Sequence, residues 1–255
     1  MASEGIYIRQ YRPSDLPQIR ALIWEAYITS DDSVTRIGRR TIRLNRTSLI
    51  AYVLGGVGLV LLSLPGGWYT SAVIIGALLS LAGVALFSEV QYTFTQVEVG
   101  FCKDALKTDI QDIAGYYGPP AAFFVAARPG HTEKPGSGFE DAEEVVGYVA
   151  FDYQPHKSPE KAELRRMIVS KSHRKHGVGG RLVRALLAHA ETIPALQYID
   201  LSTTQFHLAA QRMYERLGWE LGSVHVMGGW LWKMEIRHFR KPIQEEAASL
   251  KVLVQ

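Results

Sequence analysis

Between Glu163 and Gly180 the chain reads ELRRMIVSKSHRKHGVGG, and this stretch holds the residues whose types and spacing could do chemistry. Arg174, Lys175 and His176 bring positive or titratable charge. Gly177, Gly179 and Gly180 flank Val178 in a turn that lets a ligand approach the backbone. Leu164 to Val169 has the apolar character of a strand. After the glycines, Leu182, Val183, Leu186 and Leu187 recur on one face of a helix. A strand that passes through a Gly-rich turn into a helix leaves the first helical N–H groups unpaired at the positive end of the dipole, which suits an anion and above all a phosphate. A plain basic turn closed by a glycine cap is the competing explanation, and the flanking chain has to decide between the two.

The spacing excludes two common phosphate loops. No Gly-Lys-Ser/Thr follows, as a Walker loop requires, and the run Gly177, Gly179, Gly180, Arg181 is not G-x-G-x-x-G. Arg174-x-x-Gly177-x-Gly179 resembles the acetyl-CoA pyrophosphate loop of the GCN5-related N-acetyltransferase family. About thirty residues on, Ala210, Tyr214, Gly218 and Trp219 fall at the places of that family's second signature, A-x-x-x-Y-x-x-x-G-F/W. Two signatures in the right order are far more specific than either alone. The uncharged insertion at 48–88, followed by Lys107-Thr108-Asp109-Ile110, resembles the membrane-bound, camello-like N-acetyltransferase 8 group.

The resemblance implies an α/β (α+β) fold, a GNAT-type mixed central sheet flanked by helices, with an inserted hydrophobic transmembrane helical hairpin. It implies acetyl-CoA as co-substrate and an amine as acceptor. Pantetheine would lie along Met167, Ile168 and Val169 where two strands splay apart, and the pyrophosphate on Arg174 to Gly180. Tyr214 would protonate the departing thiolate, and Glu163 stands where family members place a carboxylate base. Arg165 and Arg166 favour an acceptor that bears a carboxylate, such as a cysteine S-conjugate. A protein lysine, a polyamine, or a non-catalytic adaptor keeping the fold are the alternatives. The family often has Asn where His207 stands here. His207 is a further candidate base, while His173 and His176 are expected on the phosphate side or at the surface.

The elements that must position these residues follow from pattern. Gly5 to Tyr11 alternates as a strand, and Ser14 or Asp15 can cap a helix through Tyr27. Phe101 to Tyr117 is expected as a separate helix, whereas Val90 to Val99 fits helix or strand. Ala121 to Ala127 and Glu144 to Tyr153 are expected as a hairpin across the Gly- and Pro-rich segment 128–141. A strand over 196–203, a helix over 206–217 and two strands within 224–236 complete the series.

Residues 48–88 carry no Asp, Glu, Lys or Arg and are broken at Pro65-Gly66-Gly67. Each half reaches roughly the 17–25 residues of a membrane span. Trp68 and Tyr69 fit the far interface, and Arg36, Arg39, Arg40, Arg43 and Arg46 place the preceding flank in the cytosol. The organisation expected is therefore 1–47 as the first strand and helix with a basic membrane flank, 48–88 as the hairpin in contact with lipid, 89–240 as the remaining acetyltransferase domain, and 241–255 as a tail. No signal peptide is expected, since the first apolar run starts near Ser48. The expected location is an integral protein of the endoplasmic reticulum with its catalytic domain in the cytosol. A net charge of +3 over 255 residues makes no case for nucleic acid. The single cysteine, Cys102, excludes an intramolecular disulfide, and the histidine spacing suggests no metal. Nothing in the sequence fixes the oligomeric state.

Overall fold

The computed structural model describes residues 5–31, 33–64, 70–130, 143–154 and 156–243. The expectations for the 65–67 break, for Trp68 and Tyr69, for most of the 128–141 segment and for nearly all of the tail lie outside these residues.

A seven-stranded mixed sheet organises the chain. Its strands are β1 (Tyr7–Gln10), β2 (Ala122–Arg128), β3 (Glu144–Tyr153), β4 (Lys161–Val169), β5 (Tyr198–Thr204), β6 (Glu220–Gly228) and β7 (Lys233–Pro242), in spatial order β1-β2-β3-β4-β5-β7-β6. All neighbours are antiparallel except β4 and β5. That parallel pair requires a crossover, which is supplied by α6 (Val178–Ala190). One face of the sheet is covered by α6 and α7 (Leu208–Arg216), which bury Leu182, Leu186 and Tyr214 against Val149, Phe151 and Leu164. The other face is covered by α1 (Leu16–Trp24), the end of α4 (Thr70–Lys107), α5 (Ile113–Tyr116) and the turn between the last two, which bury Ile19, Ile23, Ala105, Ile110 and Ile113 against Phe123, Val125 and Tyr148.

Helix α2 (Val34–Ile42) carries Arg36, Arg39 and Arg40 and leads into α3 (Arg46–Ser63). Asn45 caps α3 by accepting the Ser48 N–H. Helices α3 and α4 are both long and apolar enough to cross a membrane. They pack antiparallel at very short range. A Cβ on Gly58 would come within 2.5 Å of the Gly76 carbonyl, and one on Gly83 within 2.6 Å of the Ala51 carbonyl. Small residues at such crossings are how helices associate where no hydrophobic effect drives them together.

The structure corrects two expected boundaries. The helix placed at 101–117 is not separate. Helix α4 runs unbroken for 38 residues, about 57 Å at 1.5 Å per residue, so the apolar half of the hairpin and the stem at 89–107 are one rod. No proline interrupts it. It ends where the Ile110 N–H turns back to the Ala105 carbonyl and Asp109 is drawn to Arg166. The final two strands also extend further than 224–236, because β6 pairs with β7 from Glu220 onward.

Both ends of the hairpin dock on the same domain. Val90 and Phe94 of α4 and Ile42 of α2 cluster with Phe206, Trp232 and Met234, and the Asn45 and Thr47 side chains donate to the Leu231 and Trp230 carbonyls.

Candidate active site

The parting of β4 and β5 creates the site. They pair only from Lys161↔Tyr198 to Leu164↔Leu201, after which β5 stays with β7 while β4 follows β3. A bulge accompanies the divergence: Tyr148 faces Ile168 and Ala150 faces Arg165, leaving Val149 opposite both Arg166 and Met167. Arg166 adopts φ 52°, an uncommon conformation for a residue with a side chain. Beyond the bulge the edge of β4 from Arg165 to Val169 is free of β5, so its peptide groups border a cavity of about 1130 Å³. The walls also include Leu201 to Thr204, Glu163, Tyr214, Glu98, Tyr27 and Tyr148.

At one end the cavity meets the start of α6. Gly177 precedes the helix with φ 76°, and the first ladder bond is that of the Arg181 N–H to the Gly177 carbonyl. No side chain caps this end. The N–H groups of Val178, Gly179 and Gly180 therefore lack intrahelical acceptors and are available to an anion. Gly179 is confined, since a Cβ there would lie 2.9 Å from Met167 Cε. Arg174 donates from Nε to the Val169 carbonyl at 3.0 Å, holding the turn against the end of β4. Arg174 and Lys175 both border the cavity. His176 is exposed and is not part of the lining.

Tyr214 is buried on α7, and its hydroxyl points to Met167 Sδ at 3.3 Å, directly at the freed edge of β4. Burial raises its pKa well above the ordinary phenol value, so the proton stays on. Glu163 is partly buried, and desolvation raises its carboxyl. It sits in register with Asp152 on β3 and Asp200 on β5.

The two arginines are not free charges. Arg165 Nη1 reaches Asp152 at 2.8 Å and the Tyr116 hydroxyl at 3.2 Å. Arg166 grips the buried Asp109 through Nε and Nη2, each at 2.8 Å, and the Tyr117 hydroxyl donates to the same carboxylate. Burial works to raise the Asp109 carboxyl, but these hydrogen bonds hold it below its usual range. The histidines take different places. His173 is buried and lines the cavity beside Arg174, with Nδ1 at 2.9 Å from the Ser172 hydroxyl. His207 borders the cavity between the Thr203 and Thr204 hydroxyls, and desolvation, with Arg174 nearby, lowers its pKa to about 4. It is a neutral ring at physiological pH.

Sequence reasoning missed Tyr27, Tyr148 and Glu98. Glu98 carried a readable signal. Once 90–107 is taken as helix, it falls on the stripe of Val90, Phe94, Cys102 and Ala105, where an acid is out of place. Among the described residues no group of three or more His, Cys, Asp or Glu is gathered to hold a metal.

The comparisons with known proteins agree with this geometry. Residues 106–219 match the acetyltransferase (GNAT) family. The chain is 25% identical to N-acetylaspartate synthetase of Xenopus tropicalis over 90% of its own length and 76% of that protein's. It is 27% identical to N-acetyltransferase 8F1 of Rattus norvegicus, covering 84% of this chain and 86% of that one. It spans 62% of the rat N-acetylaspartate synthetase. A GNAT-family acetyltransferase from Staphylococcus aureus Mu50 shares the fold, with a TM-score of 0.50 at 12% identity over 93% of this chain and 99% of that one. Parted strands, uncapped helix and both signatures thus converge: residues 106–219 carry the acetyltransferase domain of the GNAT family, and the chain is similar to the N-acetyltransferase 8 and N-acetylaspartate synthetase proteins.

Proposed function

We propose that this protein is a membrane-anchored enzyme that transfers acetyl from acetyl-CoA to the primary amine of an acceptor bearing a carboxylate, by direct attack in a ternary complex. The observation that carries this reading is the uncapped start of α6 beside the freed edge of β4, with the Tyr214 hydroxyl aimed at that edge. The pyrophosphate rests on the N–H groups of Val178 to Gly180, with Arg174 and Lys175 beside it, and the pantetheine arm bonds the peptide groups of Met167, Ile168 and Val169. A peptide N–H near Ile168 polarises the thioester carbonyl. Glu163 takes a proton from the acceptor's ammonium. The neutral nitrogen attacks the carbonyl carbon, the C–S bond breaks, Tyr214 protonates the departing thiolate, and the proton shed by the acylated nitrogen restores the Tyr214 hydroxyl. The raised Glu163 carboxyl suits it to this proton, because general bases work best near the operating pH.

A carboxylate on the acceptor is supported by Arg165 and Arg166 in the cavity wall. Their aspartate partners engage Nη1 of the first and Nε with Nη2 of the second, which leaves further N–H groups for another oxygen. The name of the amphibian relative, N-acetylaspartate synthetase, points to an acceptor of the same class. A cysteine S-conjugate fits it equally.

Membrane anchoring is supported by the hairpin surface. Val53, Leu59, Val60, Leu78, Leu81 and Val84 are each at least 60% exposed, an apolar area that water would not tolerate. At the hairpin's base Leu44 and Trp230 are about three-quarters exposed beside Arg40, Arg43 and Arg46, as at a membrane interface. Because α3 and α4 form a return pair, we place the acetyltransferase domain on the arginine-rich, cytosolic side. We assign the endoplasmic reticulum from the resemblance to the N-acetyltransferase 8 group. Alkaline carbonate extraction tests the anchor: the protein should stay in the pellet, and release to the supernatant would refute it. CoA release from acetyl-CoA by the detergent-purified chain tests the reaction.

A further inference from the structure

Helix α4 buries an acid that the fold does not need. Glu98 is 1% exposed, and its Oε1 has no hydrogen-bond partner among the described residues. It lies beyond the apolar span that ends at Ser88. Burial pushes its carboxyl up to about 7. A buried polar atom without a partner is destabilising, more so when charged, and a leucine would complete the stripe without that cost.

What Glu98 borders is the cavity, in company with Ile23, Ala26, Tyr27 and Phe101. The Tyr148 hydroxyl is a second buried orphan on the same cavity. After burial, the next influence raising the Tyr27 hydroxyl is Glu98, and the next raising Tyr214 is Tyr27. Glu98 thus neighbours Tyr27 and Tyr27 neighbours Tyr214 along the cavity, while the anion cradle at α6 is assembled from another segment. An unmatched acceptor of hydrogen bonds in an enclosed space calls for a cationic donor.

We propose that Glu98 is the docking carboxylate for the acceptor's ammonium group. The inference rests on reading the cavity as the acceptor site, and it extends that reading from a carboxylate-bearing acceptor to one held by both charges. The incoming R–NH3⁺ gives Glu98 the partner that the fold withholds, and the ammonium is desolvated against a full negative charge. Glu163 then takes the proton. Glu98 governs how tightly the amine binds, and Glu163 governs how fast it reacts.

Matched ligands test this on the full chain in detergent with CoA bound. S-benzyl-L-cysteine and its deaminated counterpart, 3-(benzylsulfanyl)propanoic acid, form one pair. Nα-acetyl-lysinamide and Nα-acetyl-norleucinamide form another. The wild-type protein should bind at least one amine about tenfold more tightly than its amine-free partner. In Glu98→Gln that preference should collapse, with acetyl-CoA affinity retained and the fold no less stable than wild type, and Glu98→Asp should recover part of it. An intact preference in Glu98→Gln, or a wild-type protein that favours neither amine, would overturn the proposal. Amine binding that depends on Glu98 but leads to no CoA release would leave this inference standing and defeat the acetyl-transfer reading alone.

Discussion

The two walls of the cavity are built on different principles. The wall we assign to the cofactor is backbone: peptide groups freed by the parting of β4 from β5, and N–H groups at the uncapped start of α6. The wall we assign to the acceptor is side chains: Arg166 held by Asp109, Arg165 held by Asp152, and the carboxylates Glu163 and Glu98. Backbone recognition needs only a turn of fixed conformation, so it fits a ligand common to many enzymes. Side-chain recognition can be altered one residue at a time, and it is the wall that can distinguish one amine from another.

The sharpest way to break this contrast is Gly177→Asp. Its Cβ meets nothing within 4 Å, and aspartate tolerates a positive φ, so the turn should survive. A carboxylate at 4–5 Å from a phosphate costs roughly 4 kcal/mol at an effective dielectric of about 20. Acetyl-CoA affinity by titration calorimetry should drop by hundreds-fold with the melting temperature nearly unchanged. If affinity is retained, the phosphate does not sit at α6. On the opposite wall, Asp109→Ala should cost stability rather than cofactor affinity. It strands Arg166 next to the buried Tyr117, and breaking such a pair costs about 3–5 kcal/mol. Denaturant unfolding reads this directly, and an unchanged midpoint would make the pair dispensable.

Tyr214→Phe probes the meeting of the two walls. It should lower kcat about a hundredfold and leave acetyl-CoA binding alone. An unaltered kcat would remove the hydroxyl from the reaction. The smallest effect is a slope. Glu98 holds its proton more readily in the folded chain than in the unfolded one, so its contribution favours folding below the ordinary carboxylate range and is lost as pH rises to about 7. The stability of Glu98→Gln relative to wild type should therefore improve across that interval, by up to about 1.4 kcal/mol per pH unit. A flat difference would mean that the carboxyl is not perturbed.

The same division explains what could be read from sequence. Arg174, Gly177 and Gly179 lie within six consecutive positions, and Tyr214 lies one helix later, so local spacing carried the cofactor wall and with it the fold. The acceptor wall draws on residues far apart in the chain. Asp109 meets Arg166 across 57 positions, and nothing local to either announces the other. That pairing also explains why Arg165 and Arg166 read as free charges. Glu98 was hidden by the uncertainty over 90–99. An alternating run after an apolar span fits strand as well as helix, and only the continuous α4 rod puts that acid on a buried stripe.

Release of CoA by the detergent-purified full-length chain tests the central claim most directly. The acceptors to compare with acetyl-CoA are L-aspartate, a cysteine S-conjugate, a lysine peptide and spermidine. The account predicts release with a carboxylate-bearing amine, little with spermidine, and loss of release in Tyr214→Phe. Release with spermidine alone, or none with any acceptor despite measurable acetyl-CoA binding, would contradict it.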